Sequence, residues 1–381
     1  MAVSFMIYLT YIPMISVVPA WLGELGIQPG MIGLVTGLTT FVIVIARPFF
    51  GIGVDRFGRR LFLVLGIVGL ACAIVPLAFV PVLSFIIALR LLLGLAWGAG
   101  NTAINTIAAD TVPKTRFGEG IGYFSLASTL AAAIGPALCL SLMQAAGFGA
   151  VSMLCLALCV VALVGSLAIR YKPVDKATAL ARVSVGHVFT KDAVLPGVVV
   201  FFLQICSATS VSFVALIAAQ RHIPNISLLF VASAVAMMIS RPFFGRWMDR
   251  HGPAMPTILG FAATAASTLL VAFAPNLGLM LAAGFLNGLG IGAVSPAMQT
   301  IAVSRAGANH RGAATSTYFI LYDLGMGLGV ILGGALANVF GYAIMFVLMV
   351  IPCAIGLLVF VAATDLRHES SPQTPRQQSL S

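Results

Sequence analysis

Charge is what this sequence lacks. Of its 381 residues only 8% are Asp, Glu, Lys or Arg, whereas 60% are apolar. A soluble domain carries about 25% charged residues, so a water-exposed surface of this size cannot be covered, which excludes both a soluble enzyme and a disordered chain. Strand-length alternation is also missing from the long apolar runs, which points to membrane helices rather than a barrel. No Lys or Arg precedes Arg47, so the basic start of a secretory signal is absent. With no small-residue cleavage site before Trp21, the first apolar run is expected to stay in place as a transmembrane helix. The chain has no Walker loop and no catalytic triad signature, so no enzymatic or ATP-driven chemistry is expected. Cys72, Cys139, Cys155, Cys159, Cys206 and Cys353 all lie inside apolar runs without His or carboxylate companions. They read as packing residues, and no metal site or cofactor is expected.

What is present is a series of apolar runs separated by short polar or Pro/Gly-marked gaps. At about 20 residues per span the series predicts twelve transmembrane helices, making the fold class all-α integral membrane. The longest polar stretch, Arg170–Asp192, divides the chain into a six-helix bundle over 1–169, a central loop over 170–192, a second six-helix bundle over 193–363, and a Ser/Pro/Gln-rich disordered tail over 364–381. The net charge of +10 is a topology signal rather than a nucleic-acid footprint. With the N-terminus in the cytoplasm, all Lys and Arg except Arg90 and Arg221 fall in cytoplasmic loops, helix ends on that side, or the tail, as the positive-inside rule requires. Both termini are therefore expected in the cytoplasm, with the chain in an inner or plasma membrane.

The two halves repeat each other. Residues 47–58 read RPFFGIGVDRFG and residues 241–252 read RPFFGRWMDRHG. The same 194-residue shift carries Gly94 and Gly98 onto Gly288 and Gly292, and Asn105 onto Gln299. Six spans per half leave both halves in the same orientation, a parallel repeat typical of transporters. Gly51, Asp55, Arg56, Gly58, Arg59 and Arg60 match the signature loop of the major facilitator superfamily, with a degenerate second copy at Gly245, Asp249, Arg250 and Gly252. Arg90 with Gly94 and Gly98 is similar to that family's helix-4 pattern. The chain thus resembles that superfamily over essentially its whole length. The resemblance implies alternating access, a central cavity lined by helices 1, 4, 7 and 10, and a gating role for the signature loop.

Polar residues inside hydrocarbon are costly and mark function or pairing. Spans 3, 6, 9 and 12 contain no Asp, Glu, Lys, Arg, Asn or Gln and read as lipid-facing. Asp323 is the sharpest candidate: it falls at mid-membrane depth in span 11, where a carboxylate costs on the order of 2.5–3.5 kcal/mol. Removal from water favours the protonated form of any carboxyl group, which suits a group that takes up and releases a coupling proton. Tyr318, Phe319 and Tyr322 lie within about a turn of it. Arg90, Asn101, Asn105, Gln204, Asn287, Gln299 and Tyr11 complete the candidate substrate- and proton-binding set. The resulting expectation is a monomeric secondary transporter whose partners are a small molecule, protons and the lipid bilayer, with proton-driven export first. Import of a sugar or organic acid, or a non-transporting sensor on the same fold, are the alternatives.

A cysteine-accessibility map is expected to place 170–192 and Arg367 on the cytoplasmic side and Arg221 outside; an extracellular 170–192 would reverse the orientation.

Overall fold

A computed structural model describes residues 1–79, 82–111, 117–169, 171 and 190–363. Among these there are helices and short turns but no strand. The helices are α1 (Ala2–Tyr11), α2 (Met14–Glu24), α3 (Pro29–Phe57), α4 (Arg59–Ile74), α5 (Leu83–Thr111) and α6 (Phe117–Leu167), followed by α7 (Val194–Gln220), α8 (Leu228–His251), α9 (Ala254–Phe273), α10 (Leu277–Arg305), α11 (Gly307–Leu348) and α12 (Val350–Ala362). Lipid supplies no hydrogen-bond partners, so the backbone must satisfy itself within each segment, and helix is the form a single segment can take. α1 and α2 form one crossing interrupted at Pro13, which lacks the N–H that would continue the helix.

Ten segments are long and apolar enough to span a bilayer, and two of them cross twice. α6 has 51 residues, which at 1.5 Å each would run about 77 Å, more than double the roughly 30 Å hydrocarbon core. It turns back at Gly147, whose φ of 79° is closed to most side chains. The turn is visible in its contacts: Gly135 packs on Pro13, Phe148 stacks on Trp21 with ring centres 4.4 Å apart, and Gly165 has returned to Val3. α11 repeats the device at Gly341, φ 80°, 194 residues later. Its first arm follows α7 upward, Gly325 against Phe201 and Gly329 against Ile205. After the turn the chain descends the same helix, with the Met349 carbonyl accepting from Cys206 Sγ at 2.8 Å and Gly356 against Phe202. Twelve crossings result among the described residues.

The spans expected to face lipid carry large exposed apolar side chains, including Leu65 on α4, Val160 and Val164 on the second arm of α6, Leu259 on α9, and Ile351 and Leu358 on α12. Arg221 closes the C-terminal end of α9, donating from Nη1 to the Val271 and Ala274 carbonyls at 3.0 and 2.7 Å and from Nη2 to Ala272. A cation there offsets the partial negative charge of the helix end and fills its orphan acceptors.

The two halves meet most closely at the Gly147–Gly341 end. α3 and α11 touch backbone to backbone there: a methyl added at Gly33 would lie 2.6 Å from the Val330 carbonyl oxygen and 2.8 Å from Gly334 Cα. α2 meets α7 where Gly23 receives Leu216, and the first arm of α6 meets α8 through Ser141 and Ser227, 3.0 Å apart. This end is closed. At the other end, marked by Gly58 and Gly252 with φ 100° and 83°, α5 and α10 barely touch among the described residues. There Asn105 and Thr300 are exposed.

One expectation changes. Arg47 and Arg241 had the look of cytoplasmic helix-end charges, each followed by a proline. The helices instead run through Pro48 and Pro242 to Phe57 and His251, which puts both arginines well inside the membrane-spanning region. Proline removes a donor without ending a helix whose neighbours hold it in place.

Gly33→Val is expected to prevent close approach of α3 and α11. The accessibility of a cysteine placed at buried Thr36 to a water-soluble maleimide should then rise several-fold over the same cysteine with Gly33 intact.

Candidate functional site

Asp323 on the first arm of α11 is 7% exposed. Its Oδ2 accepts from Arg47 Nη2 of α3, an ion pair that joins the two halves. The Arg47 guanidinium also lies 5.7 Å from the centre of the Phe319 ring. Two opposite charges in a low-dielectric interior each need the other: removing one strands its partner at about 3–5 kcal/mol, although the pair itself contributes little net stability.

A second guanidinium repeats the arrangement. Arg241 of α8 donates from Nη1 to Thr129 Oγ1 on the first arm of α6 at 2.6 Å. Arg241 stands 194 residues after Arg47, and Asp323 stands 194 after Thr129. The two bonds are therefore equivalent under the internal repeat, one ending on a carboxylate and the other on a hydroxyl. Tyr322 precedes Asp323 in the chain, is within electrostatic reach of Arg241 and shares a side-chain hydrogen bond with Gln204. The Tyr318 hydroxyl donates to the Ser295 carbonyl at 2.8 Å, tying α11 to α10.

The other candidates form separate groups. The Tyr8 hydroxyl donates to Asn101 Oδ1 at 3.1 Å. Asn105 Nδ2 reaches the same oxygen at 2.8 Å and the Asn101 carbonyl at 2.7 Å. Tyr11 stacks on Trp97 with ring centres 4.0 Å apart. It lines a small cavity with Arg90, Thr36, Thr39 and Thr40 on the closed side. Arg90 is 2% exposed, and its one described hydrogen bond is a long one, 3.5 Å from Nη1 to the Met14 carbonyl. Asn287 accepts from Ser207 Oγ at 3.3 Å in a second pocket with Ser210 and Ser233. Gln299 is half-buried on α10. Asp323, Tyr322, Tyr318 and Gln204 thus come together, Tyr11 joins Arg90, and Asn101 pairs with Asn105.

In the signature loop Gly58 links α3 to α4 in a left-handed conformation. The Arg56 guanidinium lies 5.4 Å from the Phe57 ring centre and that of Arg60 5.8 Å from Tyr171. Burial pushes the Tyr171 phenol above its ordinary pKa, with Ser166 and Arg60 acting the other way. Arg59 opens α4, Gly51 has open space around it, and Arg250 is exposed. The side chains of Asp55 and Asp249 lie outside the described residues.

Sequence reasoning missed Arg47, Arg241 and Thr129. The available signal was the repeat itself, which maps Asp323 onto Thr129 and one arginine onto the other.

The family model described as Major Facilitator Superfamily matches residues 1–218 and again 197–380. An uncharacterized MFS-type transporter of Burkholderia pseudomallei (strain 1106a) is 28% identical over 364 residues, covering 93% of this chain and 88% of its own. A multi-drug resistance efflux pump PmrA homolog of Lactococcus lactis subsp. lactis (strain IL1403) is 26% identical over 345 residues, covering 85% and 84%. Among solved structures, a point mutant of the nucleoside transporter NupG superposes with a TM-score of 0.79 at 14% identity, over 95% of this chain and 98% of that one.

Arg47→Ala and Asp323→Ala are each expected to destabilise the detergent-purified protein by about 3–5 kcal/mol, read as a fall in melting temperature. The double variant should lose clearly less than the sum of the two. Simple additivity would mean that the pair is not coupled.

Proposed function

We propose that this chain, which belongs to the major facilitator superfamily and is a membrane-embedded transporter rather than an enzyme, exports a small organic compound in exchange for protons by alternating access. The observation that carries the reading is the Arg47–Asp323 pair between the halves. Protonating Asp323 removes the negative member of the pair. The attraction holding α3 to α11 on the open side of the Gly33–Gly334 contact is then lost, and the halves are free to rock. Deprotonation restores it. Each proton entering down a membrane potential supplies about 2.3 kcal/mol per 100 mV, equivalent to roughly a fiftyfold concentration ratio.

The distribution of basic residues supports a cytoplasmic position for the open Gly58–Gly252 end, so the described conformation is read as open inward. Both termini are then cytoplasmic in an inner or plasma membrane, the protein acts as a monomer, and the proton gradient is its energy source. In this scheme the loop from Gly51 to Arg60 and its partner at Asp249 and Arg250 act at the cytoplasmic gate. Outward direction is supported by the likeness to an efflux pump homolog at 26% identity. Asn101, Asn105, Gln204, Asn287, Gln299, Tyr11, Tyr318 and Tyr322 supply polar and aromatic contacts along the path.

Asp323→Asn keeps the shape and removes the titration. In proteoliposomes it is expected to abolish transport driven by a pH gradient, while exchange of substrate without a gradient survives. Concentrative, pH-driven transport by Asp323→Asn would move the coupling proton elsewhere, and the sign of the wild-type flux decides between export and import.

A further inference from the structure

We propose that Arg241 and Thr129 form the subsite for a carboxylate group on the transported compound. The assignment rests on the transport reading above and adds the charge class of the cargo.

The argument begins with a charge count. Three guanidinium groups sit inside membrane-spanning helices and away from their ends: Arg47, Arg90 and Arg241. Among the described residues Asp323 is the one carboxylate at comparable depth, and it is spent on Arg47. A cation in hydrocarbon costs on the order of 2.5–3.5 kcal/mol even on lenient scales, so two uncompensated guanidiniums are an expensive feature for a chain to keep. A negatively charged ligand removes part of that cost each time it binds.

The repeat identifies which of the two receives it. At the α3–α11 interface the position facing the arginine is Asp323; at the equivalent α6–α8 interface it is Thr129. The missing carboxylate at that second interface is the vacancy that a cargo carboxylate fills. Thr129 Oγ1 occupies Nη1 of Arg241, while Nε of Arg241 is buried and has no hydrogen-bond partner. The Nε–Nη2 edge is the side of a guanidinium that takes a carboxylate with two parallel hydrogen bonds. A planar, singly charged group would supply the partner that this buried Nε lacks among the described residues. Arg241 is also partly exposed, so a ligand can reach it. Arg90, by contrast, is walled in on the closed side, 3.5 Å from the Met14 carbonyl.

Filling the subsite has a mechanical effect. A cargo carboxylate between Arg241 and the α6 arm supplies at the second interface the negative charge that Asp323 supplies at the first. Binding then tightens one seam between the halves, and protonation of Asp323 loosens the other.

The test is a thermal-shift titration of the purified full-length protein in detergent without any gradient. The probes are benzoate, phenylacetate and hexanoate, each compared with its amide and with benzylamine, phenethylamine and hexylamine. At least one acid is expected to raise the melting temperature by several degrees, with its amide and amine counterparts inert. Thr129→Asp, which builds the missing carboxylate into the chain, should keep or raise the basal melting temperature and abolish the response to the acid. Arg241→Gln should weaken the acid at least about tenfold, and this variant carries the test if Thr129→Asp does not fold. Asp323→Asn should leave the acid response in place, which separates failure of this subsite from failure of the proton-coupling reading. Equal stabilisation by amides or amines, an acid response that survives Thr129→Asp, or no response to any acid would overturn the assignment.

Discussion

Hydrocarbon offers no hydrogen bonds and almost no dielectric screening, and this constraint organises the molecule at every level. It forces the backbone into helices, which the length of the apolar runs then sets at bilayer-spanning size. It also makes any ionised side chain in the interior costly until it finds a partner. Arg47 finds Asp323 across the boundary between halves, so the cost of burying either charge is met only when α3 and α11 are together. The Arg47–Asp323 pair thus ties one half to the other inside the membrane.

The duplicated ancestry of the chain is written into its mechanics rather than its shape alone. Gly147 and Gly341 make the same turn, and Gly58 and Gly252 the same loop, at positions 194 residues apart. The arginines Arg47 and Arg241 have been kept in both copies, yet their partners have diverged into a carboxylate and a hydroxyl. Structural positions have stayed symmetric while the chemistry at the centre has not. The two half-interfaces, equivalent in position, therefore differ in charge.

Much of this was legible from the residues because membrane solvation leaves a coarse, period-independent signal: apolar runs of about 20 residues, basic residues on one side, and a repeat strong enough to see by eye. Asp323 stood out for the same reason, being an acid at mid-span. Its partner did not. Arg47 precedes a proline at what looks like a helix end, and an arginine side chain reaches far enough that its own depth understates where its charge sits. The pairing spans 276 residues of sequence, a separation at which no local pattern carries information. Asn101 and Asn105 were legible as a pair because a four-residue spacing shares a helix face, whereas the separation of Asn287 into its own pocket depended on how α7, α8 and α10 pack. Thr129 was hidden in plain view, since a threonine in a membrane helix commonly bonds its own backbone.

The meeting of Gly33 and Gly334 has a consequence for leakage. Protons cross membranes by hopping along files of water molecules, and such a file needs a channel at least one molecule wide with polar groups to hold it. Where two bare backbones touch, as α3 and α11 do between Gly33 and Gly334, there is no room between them for the first molecule. The seal is made of main chain and yields only to movement of whole helices. At rest, a transporter built this way offers protons no such file along this seam.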